Sequence, residues 1–237
     1  AHNDTLNLGV FAHGLDLAPD LGYPERTGRW PKRLNWTSNT VSHNTVVVDG
    51  QPQEPQWVSC PKGFDETNHV KFIDVEAPRV YPETEQYRRT TAMIRIDEVD
   101  SYTVDFFRVE GGDDHLFSFH GAEGPVSSSG LHLKSQETGT YAGKDVPKPQ
   151  RGENTEFNQD VGNGFNYLYN VKRDEEPNEK FSVDWSVVDT WDVRDDDSDA
   201  HLRLTMLGEM DDVAVANGDP PQEPESPDTL KYLLAHR

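Results

Sequence analysis

Hydrophobic and polar residues alternate along much of the chain with the period of two that is typical of β-strands. The opening segment "HNDTLNLGVFA", residues 2–12, is predicted to be a strand with its even-numbered side chains on one face. Seven further segments rich in β-branched and aromatic residues are predicted as strands: "TVVVD", "RTTAMIRID", "SYTVDFFRVEGG", "HLFSFHG", "LHLKSQ", "FSVDWSVVDTWDV" and "AHLRLTML". Gly-Gly, Asp-Gly, Glu-Gly and Asn-Gly pairs separate them. The pattern predicts an all-β fold.

Helical periodicity is weak throughout the sequence. The nearest case is "SPDTLKYLLAHR" at 226–237, which is either a helix that begins at Asp228 or a strand in which Leu230, Tyr232 and Leu234 alternate. Residues 142–164 and 216–228 are predicted to be loops, because they are polar and rich in Gly and Pro. The run "RDDDSD" at 194–199 is interpreted as a solvated turn, with a calcium loop as the alternative.

Charge and composition exclude several classes of partner. The chain has 237 residues and a net charge of −21, whereas a nucleic-acid-binding face needs clustered Lys and Arg. The same charge disfavours an anionic membrane surface. No run of about 18 apolar residues occurs. A single cysteine, Cys60, cannot form an internal disulfide and has no local motif of a nucleophile.

The first fifty residues contain many candidate metal ligands. Imidazole and carboxylate groups together are typical of zinc sites, which use three or four ligands. His43 stands in the polar stretch "SHNT" directly before a valine-rich strand, where we predict that it is a metal ligand or a substrate contact. Histidines held structurally by hydrogen bonds are the alternative. The candidates are His2, Asp4, His13, Asp16, Asp20 and His43.

A basic cluster follows within the same region of this acidic chain. Four basic residues fall within eight positions and alternate with aromatic rings, an arrangement suited to an anionic sugar, because guanidinium pairs with carboxylate or sulfate. The alternative is a loop whose cations pair with nearby acids. The cluster comprises Arg26, Arg29, Lys32 and Arg33 with Tyr23, Trp30 and Trp36.

Two further histidines occur in "FFRVEGGDDHLFSFHG". His115 and His120 are five residues apart, so on a strand they point to opposite faces and do not act on one atom together. Buried, hydrogen-bonded histidines are the better interpretation. No Gly-x-Ser-x-Gly elbow, phosphate-binding loop or dinucleotide fingerprint is present.

Several of these stretches, in this order, resemble the β-sheet domain of the heparinase II/III-like polysaccharide lyases. The resemblance implies an antiparallel β-sandwich that pairs with an N-terminal α/α toroid. It also implies cleavage of uronic-acid polysaccharides by β-elimination, with Tyr and His as the proton-transfer groups. The stretches are "HND" at 2–4, "GLDLAPDLGYP" at 14–24, "SHNTVVVDGQPQ" at 42–53, "DFFRVEGGDDHLFSFHG" at 105–121 and "GTYAG" at 139–143.

The resemblance also assigns roles to individual residues. The family motif His-x-His-x-Asp is present only from its second histidine, as His2 and Asp4; the first, catalytic histidine would precede Ala1. Some members bind a structural zinc through the positions that match His2, Asp20 and His43. The catalytic tyrosine and histidine of the toroid are missing, but Tyr23 resembles a sandwich tyrosine that lines the cleft, and we expect it to be the catalytic residue of this chain. Substrate binding is expected from the basic cluster, through Arg26, Arg29, Trp30 and Arg33.

We therefore expect residues 1–237 to be one large antiparallel sandwich, a fragment truncated at both ends. Its expected partners are an anionic polysaccharide and the absent toroid, without which we expect the chain to be inactive. The resemblance implies a bacterial periplasmic or secreted protein. His43, sharing a metal with His2 and Asp20, would fix residues 24–42 and so position the substrate contacts. Alginate, heparin-like, chondroitin-like and ulvan-like chains are all candidate substrates, because each contains uronic acid.

Two other functions are consistent with the sequence. One is a non-catalytic carbohydrate-binding or structural β-sandwich. The other is a metal-dependent hydrolase, which needs an open metal position and a general base, for which Asp4 is the candidate.

Overall fold

The computed structural model describes residues 2–21, 32–56, 59–98, 100–149, 162–190, 192–195, 199–219 and 229–237. These residues form fifteen strands and three short helical segments at Arg33–Thr37, Thr40–Ser42 and Phe165–Tyr167. The predicted all-β fold is confirmed. No helix among the described residues is long and apolar enough to cross a membrane.

The strands are numbered in chain order. They are β1 (Val10–Ala12), β2 (Leu15–Ala18), β3 (Val46–Val48), β4 (Cys60–Glu66), β5 (Val70–Glu76), β6 (Thr84–Arg95), β7 (Ser101–Gly111), β8 (His115–His120), β9 (Val126–Ser129), β10 (Lys134–Ser135), β11 (Leu168–Asp174), β12 (Lys180–Val187), β13 (Ala200–Leu207), β14 (Asp212–Gly218) and β15 (Leu230–His236).

All the strand pairs of the described residues are antiparallel. The central sheet has six strands in the order β10-β11-β14-β15-β8-β3. A three-stranded sheet, β13-β12-β9, packs on one of its faces, and β1 and β2 form a hairpin beside them. A four-stranded sheet, β4-β5-β6-β7, extends from the other side of β3.

The sandwich core lies between the six-stranded and three-stranded sheets. Alternate residues of β12, Phe181, Val183 and Trp185, are buried against Phe119 and Leu233 of the central sheet. Each such side chain contributes about 1.5–3 kcal/mol when it leaves water. The period of two in the sequence of β12 is therefore the pattern of a strand with one buried face.

The opposite face of the central sheet is covered by the segment around Trp36. This side chain is completely buried, stacks 5.8 Å from the ring of Tyr167, and donates from Nε1 to the carbonyl of Asp219 at 2.6 Å. The expectation that Trp36 contributes to a sugar-facing surface is therefore wrong, because its ring belongs to the core.

Strand β3 has no polar face. Val46 and Val48 pack against Tyr81 and Tyr87 beneath the four-stranded sheet, while Val47 points into the core around Trp36. Burial of both faces explains the unbroken run of valines at this point in the sequence.

The opening segment differs most from its prediction. Of residues 2–12, only Val10–Ala12 form a strand, and Leu6 has a positive φ of 62°. The backbone of residues 3–8 bonds mainly to side chains instead of to a neighbouring strand. At the other end of the chain, Leu230–His236 is a strand, so the alternation of apolar residues there prevails over the helical interpretation.

An ion-pair network closes the end of the central sheet at His236. Its Nε2 contacts the carboxylate of Asp114, its Nδ1 lies 3.5 Å from Asp212 Oδ2, and Arg173 pairs with Asp212 at 2.6 Å. The contact with Asp212, opposed by burial and reinforced by Asp114, raises the pKa of His236 above its ordinary value. The protonated ring therefore ties β15 to β14 and to the turn before β8.

Replacing His236 by Gln should flatten the pH dependence of stability at its alkaline end. The folded pKa exceeds the unfolded value of about 6.5, so this contribution is fully present below about pH 6.5 and is lost as the pH rises through the folded pKa. In urea unfolding, the variant should lose more free energy of unfolding relative to the parent protein at about pH 6 than at about pH 9. An equal deficit at both pH values, or the same pattern in the exposed control His69→Gln, would contradict the assignment.

Candidate functional site

Residues 2–9, called the arm, are held by side chains of the segment 38–53. The amide of Asn3 donates to the carbonyl of Ser38 at 2.9 Å, and Thr40 Oγ1 donates back to the carbonyl of Asn3 at 2.8 Å. The buried amide of Gln53 accepts from the N–H of Thr5 at 2.7 Å and donates to its carbonyl at 3.0 Å. Gln53 therefore satisfies both backbone groups of Thr5, as a neighbouring strand would.

Asn44 joins the arm to the central sheet. Its backbone N–H donates to Asn7 Oδ1 at 2.8 Å, and its Nδ2 donates to the carbonyl of Leu8 at 3.0 Å. Its Oδ1 accepts from the amide of His120 on β8 at 2.8 Å. One buried side chain therefore fixes both the arm and the end of β8, and an apolar residue could not replace it without leaving these groups unpaired.

Arg89 provides the third connection, from the four-stranded sheet. Its Nη1 donates to the carbonyls of Leu6 at 2.7 Å and Asn44 at 2.6 Å. Its Nε and Nη2 form a two-pronged pair with Asp105 at 2.9 and 2.8 Å. Only 5% of Arg89 is exposed, so its charge depends on Asp105 and on these carbonyls.

These contacts bring four candidate ligands together. His2, Asp4, Asp20 and His43 each offer one atom, and the four atoms lie within 4.8 Å of one another. His43 Nδ1 is 2.7 Å from Asp20 Oδ1, His2 Nδ1 is 4.0 Å from Asp20 Oδ2, and the two imidazole rings are 5.2 Å apart. All four are among the candidate ligands of the sequence; the resemblance implies the set His2, Asp20 and His43, and the structure brings Asp4 to the same place.

The cluster fits a zinc ion in ligand type and in polarity. The His43 side chain is buried, and within the described residues its Nε2 makes no hydrogen bond, while its Nδ1 meets Asp20 outside hydrogen-bonding geometry. A buried polar atom without a partner is costly, and coordination is one way to satisfy it. Tetrahedral zinc with bonds of about 2.0–2.1 Å separates its ligand atoms by about 3.3 Å. The His43–Asp20 contact at 2.7 Å would open slightly and the longer separations, up to 4.8 Å, would close to reach that geometry.

Burial and charge act in opposite directions within the cluster. Burial and the neighbouring His43 lower the pKa of His2. Burial alone would raise the pKa of Asp20, but the contact with His43 lowers it below its ordinary value. A neutral imidazole beside an ionised carboxylate is the protonation state that metal ligands require.

The structure places the other predicted residues as follows. Tyr23, Arg26, Arg29 and Trp30 lie outside the described residues, in the segment that begins two positions after Asp20. Arg33 is the first residue of a short helical segment and is partly exposed.

The remaining histidine and carboxylate candidates do not join the cluster. His13 and Asp16 are exposed in and beside the β1–β2 hairpin. His115 and His120 both lie on β8, with His120 Nδ1 bonded to the carbonyl of Gly121 at 2.9 Å, and burial lowers the pKa of His120 to about 4. His120 is thus a buried, neutral, hydrogen-bonded histidine, as interpreted from the sequence.

Comparison with known proteins agrees with this all-β domain. Residues 1–102 match the family model described as Heparinase II/III-like, C-terminal. The predicted resemblance to the heparinase II/III-like polysaccharide lyases is therefore confirmed, through their C-terminal β-sheet domain. No curated protein matches the sequence.

Solved structures extend the likeness in fold to the whole chain. The heparan sulfate lyase HepC from Pedobacter heparinus has a TM-score of 0.53 and 13% identity, and a mutant of that lyase has a TM-score of 0.50 and 13% identity. Each match covers 100% of this chain and 28% of the lyase. The chain therefore spans 28% of the length of these lyases.

Replacing Gln53 by Leu should release the arm. The change leaves the N–H of Thr5 without its partner, at a cost of about 1–3 kcal/mol, and removes one of the two donors to the carbonyl of Thr5, which keeps Thr45 Oγ1 at 3.2 Å. Urea unfolding and amide hydrogen exchange of residues 3–8 measure the effect. Gln51→Leu, an exposed glutamine two positions earlier, is the matched control. Unchanged protection of the arm in Gln53→Leu would contradict the proposed clamp.

Proposed function

We propose that this chain is the sandwich half of a lyase that cleaves uronic-acid-containing polysaccharide by β-elimination. The family match and the likeness in fold to a heparan sulfate lyase support this class of reaction. The observation that carries it is the convergence of His2, Asp4, Asp20 and His43, of which Asp20 and His43 flank, in the sequence, the predicted catalytic and substrate-binding residues.

The reaction requires three contributions at one sugar. A base removes the proton at C5 of the uronate, cationic or polar groups stabilise the charge that develops on the carboxylate, and an acid protonates the departing glycosidic oxygen. We assign a proton-transfer role to Tyr23 and the carboxylate contacts to Arg26, Arg29 and Arg33, with Trp30 as a stacking surface. The remaining groups belong to the proposed toroid partner.

The metal-site residues have a positioning role in this proposal. Zinc held by His2, Asp20 and His43, with Asp4 as a further carboxylate, would supply structural cross-linking and no proton transfer. Asp20 precedes Tyr23 by three residues, so fixing its carboxylate limits where that tyrosine can lie. His2 and His43 connect the same point to the arm and to the segment before β3.

The complete activity belongs, in this proposal, to a longer protein. The lyases of similar fold are more than three times the length of this chain, which covers 28% of them. An α/α toroid would complete the cleft, an anionic polysaccharide would occupy it, and a periplasmic or secreted location suits a polymeric substrate.

In this proposal Asp4, the candidate general base of the metal-dependent hydrolase, serves as a ligand instead. Asp4 lies among the four candidate ligands, so its carboxylate is placed to bind an ion instead of activating water. The non-catalytic sandwich stays as the rival, and the lyase assay below separates the two.

Metal analysis tests the candidate centre. The purified chain should bind about one zinc ion, and both His43→Ala and Asp20→Asn should weaken binding by at least about 10–100-fold, because each removes a ligand. His69→Ala, which changes an exposed histidine in the turn between β4 and β5, should bind zinc like the parent chain. A metal-free protein, or variants whose affinity equals that of the control, would contradict the assignment.

Release of unsaturated uronate, followed by its ultraviolet absorbance, tests the reaction. The substrates are heparan sulfate, chondroitin sulfate, alginate and ulvan. This chain alone should show little turnover, while the longer protein with its upstream region should cleave at least one polymer, and Tyr23→Phe should lower kcat by about 10²–10⁴-fold. Substantial turnover by this chain alone would contradict the proposal that the catalytic groups are divided between the sandwich and a toroid domain. Binding without cleavage by the longer protein supports the non-catalytic rival.

A further inference from the structure

Two lysines of the central sheet, Lys172 on β11 and Lys231 on β15, lie near each other without a carboxylate partner among the described residues. Lys231 on β15 is half-buried and donates from Nζ to the neutral side chain of Asn217 at 2.5 Å. Burial and the nearby Lys172 on β11 lower the pKa of Lys231. Within the described residues, neither lysine forms an ion pair with a carboxylate, although the chain holds 43 acidic and 22 basic residues.

Several cations on the sheets of the described residues do pair with an acid. Examples are Lys62 with Glu76, Arg88 with Asp74, Arg89 with Asp105, Arg203 with Asp184 and, on the central sheet itself, Arg173 with Asp212. Two neighbouring lysines without such a partner therefore leave a local positive charge in a strongly negative molecule. An anionic ligand would relieve that repulsion.

Strand register places these lysines beside an aromatic ring. Tyr169, Asn217 and Lys231 are paired residues of β11, β14 and β15, so their side chains share one face of the sheet. Lys172, three positions after Tyr169, would face the other way on a regular strand. A bulge at Asn170, whose φ is 51°, restores it to the same face, where it pairs with Val215.

A third lysine completes the group. Nζ of Lys148 lies 3.8 Å from the centroid of the Tyr169 ring and donates to Asp219 Oδ1 at 2.5 Å. We call Lys148, Tyr169, Lys172, Asn217 and Lys231 the lysine row. It combines ammonium donors, an amide and an aromatic ring, which are the groups that bind an acidic sugar.

The lysine row lies on the face of the central sheet that packs against the three-stranded sheet, because Lys231 shares its face of β15 with Leu233. Tyr232 points to the opposite face, where its hydroxyl donates to the carbonyl of Ser42 at 3.1 Å, one residue before His43. Asp219, directly after β14, pairs with Lys148 of the row at 2.5 Å and with Lys32, a member of the predicted basic cluster, at 3.6 Å.

We propose that the lysine row is a subsite for an acidic group, carboxylate or sulfate, of an anionic polysaccharide, with Lys231 and Lys172 as its charged donors and Tyr169 as the surface for a sugar ring. This inference rests on the proposed function for the identity of the polymer. The half-buried position of Lys231 strengthens its attraction for an anion, because less water screens the charge.

The test compares two double variants that change the net charge equally. Lys172→Gln/Lys231→Gln removes the subsite charges, whereas Lys71→Gln/Lys180→Gln removes two exposed lysines from β5 and β12. Calorimetric titration uses a heparan sulfate hexasaccharide, which carries sulfate and carboxylate, and an alginate hexasaccharide, which carries carboxylate alone. Melting temperature is measured for each protein.

The subsite double should bind the heparan sulfate probe on the order of tenfold more weakly, and the control double should bind within about twofold of the parent chain. An equal loss for alginate assigns the site to carboxylate, and a loss for heparan sulfate alone assigns it to sulfate. Equal weakening in both doubles, unchanged binding in the subsite double, or a lower melting temperature with unchanged binding would overturn the proposal. Failure of the parent chain to bind either probe would overturn it as well.

The uronate-release assay on the longer protein separates this failure from that of the proposed function. If the longer protein cleaves a polymer but the subsite double variant binds the probe as tightly as the parent chain, the lysine-row proposal fails and the lyase proposal stands. Absence of both binding and cleavage rejects the lyase proposal too.

Discussion

The attachment of the arm to the segment 38–53 is the constraint on which the candidate site depends. His2 and Asp4 lie on backbone that has no strand neighbour, so their positions are set by the side chains of Gln53, Asn44 and Arg89. Each of these is buried, and each satisfies backbone groups that would otherwise be unpaired. The four-stranded sheet, through Arg89 and Asp105, therefore contributes to the geometry of a cluster that none of its strands touches directly.

This arrangement explains the polar stretch that precedes β3. A tight turn needs only small residues, whereas this strand entry is made of Ser, His, Asn and Thr. Three of its four side chains have hydrogen-bond partners of their own, two of them distant in the sequence. Ser42 bonds the carbonyl of Asn39, Asn44 connects the arm to β8, and Thr45 reaches Thr5 and Tyr87. His43 differs from the other three, because its buried Nε2 makes no hydrogen bond among the described residues. Its position in the metal cluster would explain why a polar side chain is found there.

The sequence pattern predicted much of the fold and part of the site. β13 matches its predicted segment, 200–207, because one face is buried and the other solvated. β4 was not predicted, since most of its residues are exposed and the alternation is weak. His2, Asp20 and His43 came from a family resemblance, while Asn44 stood in a quoted motif without a role. Arg89 had no local signal, because its partners are 45 and 83 residues away and only the tertiary fold brings them together.

X-ray absorption at the zinc edge tests the central claim most directly, because it reports the ligand types around a bound ion. The account predicts four nitrogen or oxygen ligands at about 2.0–2.1 Å, two of them imidazole, and the loss of one imidazole in His43→Ala. A spectrum with sulfur ligands from Cys60, or one without two imidazoles, would show that His2 and His43 do not share an ion and would contradict the account.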